Sequence, residues 1–211
     1  MRAAHYVIWN SLVVWNSLFL LGLSPLLYLG WGIATGQLGP DPGKELVLFL
    51  GIWAIRFLAL SLTVTPLVQV FHLRGVQRYR RMIGLYCWFY AGLHLTAFLL
   101  FLLDWQNVLT ELLKRPYIAV GMLAFLILSA MGITSNTWMM RKLGKRWKRL
   151  HKTVYIAAPL ICLHFIWTVR SDYGEAIFYT GIFVILLGFR LWKWQSAQKR
   201  SSGLQGTPSR V

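Results

Sequence analysis

The chain has 211 residues, of which 57% are hydrophobic, 15% aromatic and only 13% charged, against roughly 25% charged in a soluble domain. Its apolar residues run in long blocks, which excludes an ordinary soluble globule and marks a polytopic membrane protein. The net charge of +16 at pH 7 follows the loops, so it reports topology and contact with anionic lipid, not a nucleic-acid partner.

Six segments are long and apolar enough to cross a bilayer: 8–33, 46–68, 82–103, 117–135, 151–169 and 177–192. Backbone groups in hydrocarbon must be satisfied within their own segment, so each is expected to be a helix, giving an all-α six-helix transmembrane bundle. The first block continues past Pro25 to Trp31 with no small-residue cleavage site, so no cleavable signal peptide is expected. Short loops with Pro and Gly, such as the TGQLGPDPGKE stretch at 35–45, join the helices. The polar stretch 195–211 is expected to be a disordered cytoplasmic tail behind a single domain at 1–194. Cys87 and Cys162 fall inside apolar blocks without C-x-x-C spacing, so they read as buried small residues. No convincing internal repeat is visible.

Charge sets the expected orientation. Seventeen basic residues, from Arg2 through the 74–81 and 141–152 clusters to Arg210, fall on one side. Four (Lys44, Lys114, Arg115 and Arg170) fall on the other, together with all six acids: Asp41, Glu45, Asp104, Glu111, Asp172 and Glu175. The positive-inside rule places both termini in the cytoplasm and the first, third and fifth loops outside.

Two histidines then stand out. His94 lies about twelve residues, or roughly 18 Å, from the cytoplasmic end of the third helix. His164 lies roughly 20 Å into the fifth, which runs the same way. Two imidazoles at one depth on parallel helices suit the axial positions of a six-coordinate haem b. Ala91, Gly92 and Gly84 offer room for a flat macrocycle. His151, thirteen residues before His164 at the basic mouth, is rotated about 140° from it, and Pro159 supplies a kink between them. Opposite His151 the third helix has Arg80 and Arg81, with loop His72 as a substitute ligand; His5 carries no signal. Arg56 sits within the second helix and needs a counter-ion, either a haem propionate or a loop carboxylate such as Asp41 or Asp104. No G-x-G-x-x-G after a strand and no P-loop is present, so electrons are expected from a quinol in the bilayer or a separate reductase.

The stretches DPGK at 41–44, RRMIGLYCW at 80–88, AGLHLT at 91–96, RPY at 115–117 and RKLGKRWKRLHKTVY at 141–155, followed by His164, closely resemble the haem-binding membrane subunits of bacterial protein-methionine-sulfoxide reductase systems (the MsrQ or YedZ family). These belong to the ferric-reductase-like transmembrane superfamily. The resemblance covers about residues 8–194. It implies an inner-membrane b-type cytochrome that passes electrons from the quinone pool, or from a cytosolic flavin reductase, to a periplasmic molybdopterin subunit repairing oxidised envelope proteins. It places the family's haem histidines on His94, His151 and His164, and implies FMN without pointing to a residue for it. Unlike NADPH oxidases, the chain lacks a four-histidine, two-haem pattern, which leaves one haem or two. The alternatives are a stand-alone metal or quinone reductase, a histidine-based proton channel or transporter, or a purely structural subunit.

Overall fold

In the computed structural model of the protein, residues 12–169 and 172–204 are described, their side chains as far as residue 199. Arg2, His5, Arg170 and Arg210 lie outside the described residues, as does the side chain of Arg200. The described residues form nine α-helices: α1 Leu12–Ala34, α2 Pro42–Val70, α3 Arg80–Phe101, α4 Val108–Lys114, α5 Pro116–Ile133, α6 Thr137–Leu143, α7 Lys145–Leu150, α8 Val154–Thr168 and α9 Gly174–Leu204. Six stretches are long and apolar enough to span a membrane, and the chain is a multi-pass membrane protein. The last helix continues to Leu204, so the boundary expected at 194 falls inside it, and residues 205–211 lie outside the described residues.

Local chemistry sets the helix ends. Asp41 caps α2 by accepting from the Lys44 amide at 3.1 Å, with Pro42 in the first turn. Asn136 caps α6 by accepting from the Met139 amide at 2.8 Å. Between α6 and α7 the backbone turns at Gly144 with φ +50, a left-handed conformation that a side chain would oppose. A 3-10 turn at His151–Thr153 then breaks the fifth span before α8 begins.

Prolines within helices free carbonyls that lipid cannot satisfy. Pro25 in α1 frees the Leu21 carbonyl, which accepts from the Ser24 hydroxyl at 2.8 Å. Pro66 in α2 frees that of Leu62, which accepts from the Arg190 guanidinium of α9 at 3.2 Å. Arg190 also donates to Thr65 Oγ1 at 2.7 Å and to the Tyr155 hydroxyl, tying α9 to α2 and α8. Tyr86 and Tyr90 of α3 donate to the Phe19 and Gly22 carbonyls, seating α1 on the bundle.

The two closest helix pairs are α2 with α3 and α5 with α8, around a core that includes Leu50, Leu62, Tyr90, Ala157 and Phe183. The two pairs share a set of residues at a constant offset. Gly51, Ala54, Leu58, Leu93 and His94 recur as Gly121, Ala124, Leu128, Leu163 and His164, each 70 residues on. Ala54, Leu58, Ala124 and Leu128 are all buried. Few other positions keep their identity at that offset.

Candidate functional site

The two helix pairs bring His94 of α3 and His164 of α8 together, with ring centroids 6.2 Å apart and planes crossed at 86°. The His94 Nδ1–H donates to the Val47 carbonyl at 2.8 Å, and the His164 Nδ1–H to the Tyr117 carbonyl at 2.7 Å. A carbonyl only accepts, so both Nδ1 atoms carry the proton and both Nε2 atoms keep a lone pair. Val47 and Tyr117 are again 70 residues apart, and each lies one helical turn before a glycine.

Those glycines, Gly51 and Gly121, are what let the rings reach the carbonyls. A Cβ added at Gly51 would stand 2.9 Å from His94 Nδ1, and one at Gly121 would stand 2.6 Å from His164 Nδ1. The reading of the sequence missed both glycines; it singled out Ala91, Gly92 and Gly84 for a different purpose, room for a flat macrocycle. Gly92 has only Phe125, at 4.0 Å, beside it, and Gly84 meets Ser61 at 3.7 Å. The signal that would have found Gly51 and Gly121 is their offset of 70, identical to that of the histidines.

The pair fits a bis-imidazole metal. Two metal–nitrogen bonds of about 2 Å, plus just over 1 Å from each nitrogen to its ring centre, set the centroids about 6 Å apart. Two neutral imidazoles are also the full protein donor set of a six-coordinate haem. Among the described residues no group of three or more His, Cys, Asp or Glu is gathered for a bare metal ion.

The structure does not bring the other candidates to this pair. His151 lies at the basic end, in the 3-10 turn before α8. Its ring stacks on Trp147 at 3.9 Å, its Nδ1 meets the Trp147 carbonyl at 3.1 Å, and its Nε2 meets Ser135 Oγ at 3.2 Å. His72 is exposed beyond the end of α2, with φ 57. Arg56 donates from Nε to the Tyr179 hydroxyl at 2.8 Å and lies over the Trp53 ring at 4.8 Å. The loop carboxylates expected for it are used locally: Asp41 caps α2, and Asp104 accepts from the Gln106 amide and Asn107 Nδ2, each at 2.9 Å. Cys87 is buried, whereas Cys162, expected to be buried, is only half-buried.

The family described as ferric reductase like transmembrane component matches residues 50–162. The chain is 43% identical over 194 residues to the protein-methionine-sulfoxide reductase heme-binding subunit MsrQ of Xanthomonas euvesicatoria pv. vesicatoria, covering 88% of each chain. It is 42% identical over 198 residues to the subunit of the same name from Xanthomonas oryzae pv. oryzae, covering 88% of this chain and 91% of that one. With the subunit of that name from Xanthomonas campestris pv. campestris the identity is 41% over 194 residues, covering 88% and 89%. No solved structure matches the chain.

Proposed function

The chain belongs to the MsrQ family of haem-binding subunits, within the ferric reductase-like transmembrane proteins, and on that premise we propose that it is a b-type cytochrome carrying electrons across the bacterial inner membrane to a periplasmic methionine sulfoxide reductase. The observation that carries the reading is the His94–His164 pair, two imidazoles whose protonated Nδ1 atoms are held by backbone carbonyls while both Nε2 atoms remain free to ligate.

His94 and His164 would hold a haem, which would supply a reversible one-electron iron couple within the low-dielectric core. The protein's part is orientation. The Val47 and Tyr117 carbonyls fix each ring's tautomer and raise its basicity as a ligand, and Gly51 and Gly121 admit the rings to those carbonyls. Arg56 is the candidate partner for a propionate, because Tyr179 and Trp53 orient its guanidinium without neutralising it. His151 belongs to electron entry at the basic end or to a second haem there.

The distribution of charge supports an orientation with both termini in the cytoplasm. The electrons come from the quinone pool or a cytosolic flavin reductase and leave to a molybdopterin-containing catalytic subunit. That partner docks on the acid-bearing loops, and the combined system repairs oxidised envelope proteins. FMN, implied by the resemblance, would be reported by flavin fluorescence released on acid denaturation of the purified protein.

The deciding experiment is a dithionite-reduced minus oxidised absorption spectrum of the purified protein, beside His94→Ala and His164→Ala. A low-spin b-type spectrum abolished by either substitution is expected. A folded wild-type protein without any haem band overturns the reading.

A further inference from the structure

At the end of the bundle nearer the histidine pair, the two helix pairs differ in length. α2 begins five residues before Val47, at Pro42, whereas α5 begins one residue before Tyr117, at Pro116. α3 runs seven residues past His94 to Phe101, and α8 only four past His164 to Thr168. The two rings stand side by side, so the α5–α8 pair stops about one helical turn, roughly 5 Å, closer to its histidine than the α2–α3 pair does.

The side chains at that level differ in the same sense. Val47 and Ala97 of the first pair are 5% and 4% exposed. Their counterparts 70 residues on are aromatic: Tyr117 is half-buried, and Trp167, in the last turn of α8, is 49% exposed. Tyr117 meets its histidine twice. Its carbonyl accepts from the His164 Nδ1–H at 2.7 Å, and its ring centroid lies 6.0 Å from that of His164 with the planes inclined at 55°. Directly before it, Arg115 pairs with Glu111 at 3.0 Å and so steadies the entry to α5. Val47 serves His94 through the same carbonyl contact, but its aliphatic side chain stays buried.

We propose that Tyr117 is the electron-exit contact, the side chain through which the His164 side of the pair meets the docked periplasmic acceptor. This role rests on His94 and His164 being haem ligands. Each transfer moves one electron from the site to an oxidised centre of the acceptor; no bond is made or broken, no proton moves, and the phenol itself is unchanged. Electron tunnelling falls exponentially with distance, and it falls faster through water than through packed atoms. A ring that fills the last gap beside His164 therefore raises the rate. Tyrosine suits the place, because its ring packs against the protein while its hydroxyl meets water or a partner. The acceptor accordingly docks over the α5–α8 end of the outer face.

The test uses the full-length, haem-loaded protein in detergent with the purified catalytic subunit. Tyr117→Val places at this level the residue type that already serves His94, so haem content and the low-spin spectrum are retained. The second-order rate of reoxidation by the catalytic subunit falls about tenfold or more, the scale of losing one aromatic anchor from an interface. Tyr117→Phe, which keeps the ring, restores most of that rate. p-Benzoylphenylalanine in place of Tyr117 gives a readout independent of electron flow. Under near-ultraviolet light it forms a covalent adduct with the catalytic subunit, whereas the same replacement of Trp192, exposed near the other end of the bundle, forms none. Tyr117→Leu replaces Tyr117→Val if that protein does not accumulate. Unchanged reoxidation in a loaded Tyr117→Val protein, an equal loss in Tyr117→Phe, haem loss in both aliphatic variants, or no adduct from position 117 overturns the proposal. A wild-type protein with no haem band fails the reading of the ligand pair instead, so the two failures are told apart.

Discussion

Gly121→Ala isolates the geometry on which the proposed ligand pair depends. The added methyl would lie 2.6 Å from His164 Nδ1 and 2.7 Å from Cε1, whereas ordinary contact begins at 3.4 Å. The ring must therefore retreat by about 0.8 Å, the difference between those distances. That retreat stretches the 2.7 Å bond from Nδ1 to the Tyr117 carbonyl beyond hydrogen-bonding length. Loss of such a supporting bond typically costs 10–100-fold in metal affinity, so haem retention should fall by about that factor. Backbone propensity works the other way, because Ala favours a helix over Gly by roughly 1 kcal/mol. A loss of haem then cannot be assigned to a weakened α5. Gly51→Ala leaves 2.9 Å to His94 Nδ1 and should cost less. Gly181→Ala, with nothing within 4 Å, should cost nothing. The assay is haem content by pyridine haemochrome together with the low-spin absorption spectrum of each variant. Wild-type content and spectrum in Gly121→Ala, or equal loss in Gly181→Ala, would refute the reasoning.

Arg56→Met removes a positive charge that only Tyr179 and Trp53 orient; the haem midpoint potential should fall by roughly 60 mV, equivalent to a tenfold change in a one-electron equilibrium, with a smaller shift in Tyr179→Phe. An unchanged potential in a redox titration would remove Arg56 from the propionate. Charge reversal at the exposed Glu45 and Glu175 should slow electron delivery to the periplasmic partner about tenfold or more at low salt, with the haem spectrum intact; stopped-flow reoxidation by the partner measures it, and unchanged rates would discard the acidic docking face. Asp104 is held below its ordinary carboxylate value, first by Asn107 Nδ2 and then by the Gln106 amide. Because the folded value is the lower one, its contribution is complete above the ordinary carboxylate range and is lost as pH falls through the folded value. Asp104→Asn should therefore lower the melting temperature slightly at pH 7 and make no difference near pH 2, as thermal scans at the two pH values would show.

What the sequence made legible, and what it did not, divides along a physical line. Spans are one-dimensional: a block of apolar residues long enough for the bilayer must close its own hydrogen bonds, so all six were countable. The matched depth of His94 and His164 was also countable, since a helix converts residue number into height at a fixed rise. The short helices α4, α6 and α7 were read as loop, because at seven, seven and six residues none is long enough to cross a bilayer. Partners across helices escaped for a deeper reason. Gly51 matters because of His94, and Gly121 because of His164, while the phenol that meets Arg56 comes from Tyr179 on the last helix. Height alone made Asp41 and Asp104 plausible for Arg56, but each satisfies backbone amides in its own turn. The same argument gives the constant offset its meaning. A set of glycine, alanine, leucine and histidine residues kept at that offset preserves helix approach and ring orientation while leaving the lipid-facing residues free to differ. Where the two pairs diverge, at Arg81 against His151, the shared frame stays and the chemistry changes. One constant offset thus links the imidazole pair, His94 and His164, with Arg81 and His151 at matching positions toward the basic end.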